Sequence, residues 1–221
     1  MAKRRAVFFA AFLMFFYISP RDGPHKTSFA DEITKPRVVK VIALIDKDIW
    51  GINPNAAEEV IDAISFVSGI FEKEFNVAFE ITRFEPWGFP SGKTEVNLQE
   101  ALSDVAIIAN NQSKSDNEIF LGFSLKFLFL RVCDKVGEEI VCVKEEKNGY
   151  AYVFGNAAVI RLNYDSKYVA LHEIGHLFGA THTDENSVMN KQINTSTEFD
   201  EKNKEIIKKN WEIYFSKIYA P

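Results

Sequence analysis

Three of the four histidines in this 221-residue chain fall in one run, His172-Glu173-Ile174-Gly175-His176-Leu177-Phe178-Gly179-Ala180-Thr181-His182. The pattern H-E-x-x-H-x-x-G-x-x-H leaves the local backbone little choice. His172 and His176 are four residues apart, so on a helix they share one face and reach one point in space. Glu173 follows His172 directly and projects to the side of that pair. There it can meet a metal-activated water without binding the metal itself. Tyr168-Val169-Ala170-Leu171 leads in with helix-compatible residues, and Asp165 or Ser166 is the candidate N-cap. A continuing helix would rotate His182 away from the other two histidines. Gly179 ends it instead, because glycine takes positive φ at little cost at the C′ position, and the chain turns to bring His182 back. Three neutral imidazoles, one carboxylate base and an open fourth position are the requirements of a zinc hydrolase. The predicted metal ligands are therefore His172, His176 and His182. The predicted catalytic residue is Glu173, and the predicted cofactor is one Zn2+ ion.

The run resembles the signature of the metzincin zinc peptidases, which a downstream methionine turn completes. Ser187-Val188-Met189 is similar to the S-x-M turn of that clan. The resemblance implies that Met189 forms an apolar floor beneath the zinc ligands. In length the chain resembles the archaemetzincins, yet both of its cysteines lie upstream of the motif instead of after the third histidine. The turn is similar to that of the matrixins, with a shorter loop. Astacins follow the turn with a tyrosine ligand, and nothing matches that role onto Tyr214. The resemblance is thus matrixin-like or archaemetzincin-like, with no single branch singled out, and it is sharp over about residues 166–190. It implies an α/β (α+β zincin-like) fold. Such a fold has a twisted mixed sheet with backing helices, an active-site helix, and a small C-terminal lobe with a terminal helix. It also implies hydrolysis of a peptide or protein substrate whose backbone lies along an edge strand within Tyr152–Val159. The alternative is a non-proteolytic zinc-binding or peptide-binding module on the same scaffold.

The N-terminus has a different character. Lys3-Arg4-Arg5 precedes a continuous apolar run from Ala6 to Ile18. That run suits a signal-peptide core and is short for a membrane span. Ser28-Phe29-Ala30 is a small-x-small candidate for cleavage. Residues 1–30 are read as a signal peptide or an N-terminal anchor, and 31–36 as a linker. Residues 37–221 form the catalytic domain, with an upper lobe at 37–179 and a lower lobe at 180–221. The expected location is extracytoplasmic, either secreted or membrane-anchored through residues 6–18. A membrane is a partner only if that segment stays uncleaved. The net charge of −5 argues against nucleic acid as a partner. A monomer is expected.

The two cysteines, Cys133 and Cys142, flank a hairpin signal with Gly137-Glu138 at its tip. If those two residues form the loop, Val136 pairs with Glu139. Cys133 then faces Cys142 in a non-hydrogen-bonded pair, where side chains approach most closely. An exported protein would oxidise this pair to a disulfide.

Upstream of the motif, Val38–Ile45 is a nearly unbroken apolar, β-branched run suited to a buried parallel strand. Asn55–Phe75 carries Val60, Ile64, Val67, Phe71 and Phe75 at helical spacing, widened by Phe66 and Ile70. Val77–Phe84 predicts a second strand and Leu98–Asn110 a second helix, whose end at Val105–Ala109 could instead be a short strand. Asn110–Asn117 predicts a loop. Ile119–Val132 predicts one long strand running into the cysteine hairpin, and Tyr150–Leu162 another, with Gly155 as a bulge or turn. Phe199–Ile218 predicts the terminal helix, with Phe199, Ile206, Ile207, Trp211, Tyr214 and Ile218 as its apolar stripe.

Overall fold

The computed structural model describes residues 35–50, 52–89, 93–136, 139–163, 165–210 and 215. The leader, most of the linker, the Gly137-Glu138 tip, Trp211, Tyr214 and Ile218 lie outside the described residues.

The described residues begin with β1 (Arg37–Asp46) and a short helix α1 (Lys47–Trp50). There follow the long helix α2 (Ala56–Phe75) and β2 (Val77–Trp87). Next come β3 (Glu95–Asn97), α3 (Leu98–Gln112) and β4 (Glu118–Ser124). A hairpin follows, β5 (Phe127–Val136) and β6 (Glu139–Glu146). After it come β7 (Gly149–Ala151), β8 (Ala157–Arg161), α4 (Ser166–Leu177) and α5 (Glu201–Lys209).

Five strands form a mixed sheet in the order β2-β1-β4-β8-β7. All neighbours pair in parallel except the last, in which β7 runs antiparallel to β8. The unbroken apolar run of β1 follows from its position, because both faces of the sheet are covered. Val39, Val41, Ala43 and Ile45 point into a core shared with α2 and α4, while Ile42 and Leu44 point the other way against α3. The predicted stripe of α2 is buried along its whole length, from Val60 to Phe75. Asn76 ends that helix in the left-handed conformation at φ 56°. Asn97 caps α3, its side-chain oxygen accepting from the Gln99 and Glu100 amides. Helix α3 runs on to Gln112, so Val105–Ala109 is helical and the predicted loop begins three residues late.

Three expectations require correction. The long strand predicted at Ile119–Val132 is two strands in different sheets. Ser124 ends β4 by donating its hydroxyl to buried Asp46 at 2.8 Å, and Lys126 turns its ammonium to Asp46 and Asp48. The chain leaves the main sheet there, and β5 joins a second sheet of order β3-β5-β6. Likewise Tyr150–Leu162 is not one strand. β7 and β8 are antiparallel and joined by a turn, in which the Gly155 amide donates to the Tyr152 carbonyl. The edge strand is therefore Gly149–Ala151, outside the expected Tyr152–Val159, and Val159 belongs to an internal strand. Last, the terminal helix stops at Lys209 with Asn210 as its C-cap. Phe215 is not helical. It is buried against Phe178, and its amide donates to the Asp116 carbonyl.

The hairpin register matches the sequence reading pair for pair, with Val136 opposite Glu139 and Cys133 opposite Cys142. The two cysteines are joined as a disulfide, their Cα atoms 4.0 Å apart.

Candidate active site

Helix α4 carries the first part of the motif and is buried from Val169 to Leu177. Asp165 occupies its N-cap position, although its side chain makes no capping bond. The helix ends as the glycine predicts. Gly179 has φ +89°, its amide donates to the His176 carbonyl at 2.8 Å, and the Ala180 amide donates to the Gly175 carbonyl at 3.1 Å. These two bonds make a Schellman motif, which turns the chain through the left-handed residue. Gly179 meets a second constraint. A Cβ on it would lie 2.1 Å from the ring of Phe154, which comes from the turn between β7 and β8. Phe154 is itself left-handed at φ 59° and donates its amide to the His176 carbonyl.

The turn delivers His182 to the other two histidines. The three Nε2 atoms approach one another at 3.2 Å on every side of the triangle. The opposite nitrogens of the two helical histidines are engaged by carbonyls. His172 Nδ1 lies 2.7 Å from the Val188 carbonyl, and His176 Nδ1 lies 2.7 Å from the Ala180 carbonyl. A carbonyl can only accept, so each of these Nδ1 atoms carries the proton and the corresponding Nε2 presents a bare lone pair. Burial pushes the His172 imidazole down to about 3, helped by His176, and the His176 imidazole down to about 4. Both stay neutral at physiological pH, the form a metal requires. Desolvation lowers His182 as well, with Lys147 and Lys191 adding to it.

The donor set fits a small dication. A point equidistant from three atoms 3.2 Å apart lies at least about 1.8 Å from each, so bonds of about 2.0–2.1 Å to zinc are accommodated. Glu173 sits beside this triangle with its side chain buried, and burial raises its carboxyl to about 8. Its neighbour across the cleft floor is Gly149 of β7, where a Cβ would stand 2.6 Å from Glu173 Oε1.

Met189 is fully buried, and its sulfur packs so close under Gly175 that a Cβ there would be 2.7 Å from it. The turn is held from both sides. The Met189 amide donates to Ser187 Oγ, and the Ser187 hydroxyl donates to Asp200 Oδ2 at 2.8 Å. The Thr183 amide donates to the Met189 carbonyl, tying the His182 loop to the turn. Asn203, at the start of α5, is buried and bridges both parts. Its amide nitrogen donates to the Thr181 carbonyl and to Asp200, and its carbonyl oxygen accepts from the Thr181 amide at 2.8 Å. The sequence reading missed Asn203, Asp200, Phe154, Gly149 and Gly175. Their roles depend on contacts between distant segments, and no local pattern marks them.

A cleft of about 690 Å³ opens over the histidines and Glu173. Edge strand β7 forms one wall and the residues after the methionine turn, including Lys191 and Ile193, form the other. The model of metallo-peptidase family M12 matches residues 35–209, a span that takes in both sheets, the cleft and all three histidines.

The chain belongs to metallo-peptidase family M12.

As an M12 member it is a metallopeptidase, and the family implies a metal that the three histidines are placed to hold. No curated protein matches its sequence. Among solved structures it is similar to an archaemetzincin from Methanopyrus kandleri, with a TM-score of 0.54 and 16% sequence identity. That likeness covers 81% of this chain and 97% of the other. It establishes a shared fold, as the resemblance of the histidine run had implied.

Proposed function

We propose that this M12 chain is a zinc-dependent endopeptidase in which His172, His176 and His182 hold the metal and Glu173 is the general base. The observation that carries the reading is the triangle of Nε2 atoms at 3.2 Å, with Nδ1 of His172 and His176 engaged by backbone carbonyls. Three neutral nitrogen donors with room for a fourth position suit zinc. Bound zinc supplies a Lewis acid and lowers the pKa of water to about 7.

The chain's own groups supply the rest. Edge strand β7 offers its outer backbone edge to an extended substrate, which would bind by strand addition. Glu173 takes the proton of the attacking water on its carboxylate and returns it to the departing amine nitrogen. Met189 floors the site, and the carbonyls of Val188 and Ala180 orient the two helical imidazoles.

The test is Glu173→Ala. Zinc content by elemental analysis should stay near one per chain, while cleavage of an unfolded protein substrate disappears. Retained cleavage would remove Glu173 from the mechanism. We further infer an extracytoplasmic, monomeric enzyme. The disulfide between Cys133 and Cys142 supports that location, because such bonds persist in oxidising compartments.

A further inference from the structure

The cleft does not end at the histidines. Leu130 of β5 and Glu145 and Glu146 of β6 belong to its lining, Glu146 at the very end of its strand, and Leu130 and Glu145 are paired directly across the hairpin. Paired residues share a face of the ribbon, as do residues two and four further along each strand. The register therefore places Val132 with Val143, and then Asp134 with Val141, on the side that Leu130 and Glu145 present to the cleft. Val141 is 47% exposed and Val143 is 51% exposed, while Val132 is half-buried. Val132 and Val143, side by side, and Val141 on the next rung form an apolar strip that continues the cleft outward. From Leu130 to Asp134 the strip spans about 14 Å at roughly 3.4 Å per residue. The disulfide lies on the opposite face, with Arg131 and Lys144. It holds the hairpin's register without occupying the cleft side.

We propose that this strip is a docking surface for the polypeptide substrate, taking an extended apolar segment of about four residues beyond those around the scissile bond. The proposal rests on the peptidase reading given above. Continuity decides the occupant. A chain lying along β7 and crossing the metal site leaves the cleft past Leu130, and the next surface it meets is Val132, Val143 and Val141. Acidic residues border the strip at Asp134, Glu139 and Glu145, which sets it against anionic lipid.

The experiment uses the zinc-loaded full chain and a short core peptide selected from a library for cleavage. The peptide is extended on either side by Leu-Val-Leu-Val or by Ser-Gly-Ser-Gly. On one side, the apolar extension should raise kcat/KM about tenfold over the polar one, chiefly through KM. That ratio should fall to near one in Val141→Ser/Val143→Ser, whose substitutions are exposed and compatible with folding. Fluorescence anisotropy with the same labelled peptides and the Glu173→Ala protein reads binding alone, and the same preference should appear and vanish together. Equal rates for both extensions, or a preference unchanged in the double variant, would overturn the docking surface while leaving the peptidase intact. If no library peptide is cleaved, the peptidase reading fails, and preferential anisotropy of the apolar extension on an arbitrary core would still support the surface. A concentration-dependent dimer that the double variant dissolves would assign the strip to a second copy and overturn the proposal.

Discussion

Gly149 and Glu173 share one space: a Cβ on Gly149 would stand 2.6 Å from Glu173 Oε1 and 2.7 Å from its Cγ. The edge strand can lie against the Glu173 side chain because residue 149 has no side chain. Gly149→Ala should push Glu173 from its place while leaving the three histidines alone. We expect kcat to fall by about 10²-fold, the cost of a displacement near 1 Å, with zinc content unchanged. Steady-state kinetics and elemental analysis on one preparation check both halves.

Gly179 answers to both its backbone and Phe154. Gly179→Ala should destabilise the protein by more than about 1 kcal/mol, from strain at φ +89° together with the clash against the ring. Phe154→Ala removes the clash and leaves the strain. The double variant should therefore be more stable than the two single losses added together, with a coupling of about 0.5–3 kcal/mol. Denaturant unfolding of all four proteins gives the coupling, and simple additivity would refute the contact.

Asn203 connects α5 to the His182 loop through both of its amide atoms. Asn203→Ala leaves the Thr181 amide and carbonyl without these partners, a loss of about 0.5–1.5 kcal/mol for each bond. It also loosens the segment that delivers His182. Zinc affinity should drop by about 10–100-fold, as for other groups that orient metal ligands. Competition with a chromogenic chelator measures it.

Asp200 gives a pH signature. Burial alone would raise its carboxyl, but hydrogen bonds from the Asn203 side chain, the Ser187 hydroxyl and the Asn203 amide prevail and hold it below the ordinary carboxylate value. A carboxyl with a depressed folded-state pKa adds stability above its unfolded value, about 3.9, and loses that stability as pH falls through the folded value. Ser187→Ala removes one of those bonds. The stability gap between the two proteins should be fully present at neutral pH and shrink below about pH 4. A gap that stays constant down to acid unfolding would mean that the Ser187 bond does not act through Asp200.

Local spacing made much of the centre legible. His172 and His176 meet because i and i+4 share a helix face, and Gly179 stops the helix because no other residue takes that φ so cheaply. The Cys133–Cys142 pair follows from counting back from a two-residue hairpin loop. Continuous apolar runs were less informative. Ile119–Val132 looks like one strand because both halves are apolar, yet Ser124 and Lys126 turn to Asp46, nearly eighty residues away in the chain, and split the run between two sheets. The edge strand was misplaced for a related reason, since alternation within Tyr150–Leu162 does not reveal that Gly155 lies in a full reversal.

The sequence by itself determined that His172 and His176 meet, that Glu173 stands next to them and that a turn brings His182 back, because each depends on residues within one or two helical turns. Tertiary structure alone decided what surrounds them. It set Gly149 against Glu173, Phe154 over Gly179, Asn203 beneath Thr181, and the valine strip of the hairpin beside the cleft. Those contacts join segments whose separation along the chain carries no period. They arise only when the sheet, α4 and α5 pack into one close-packed body.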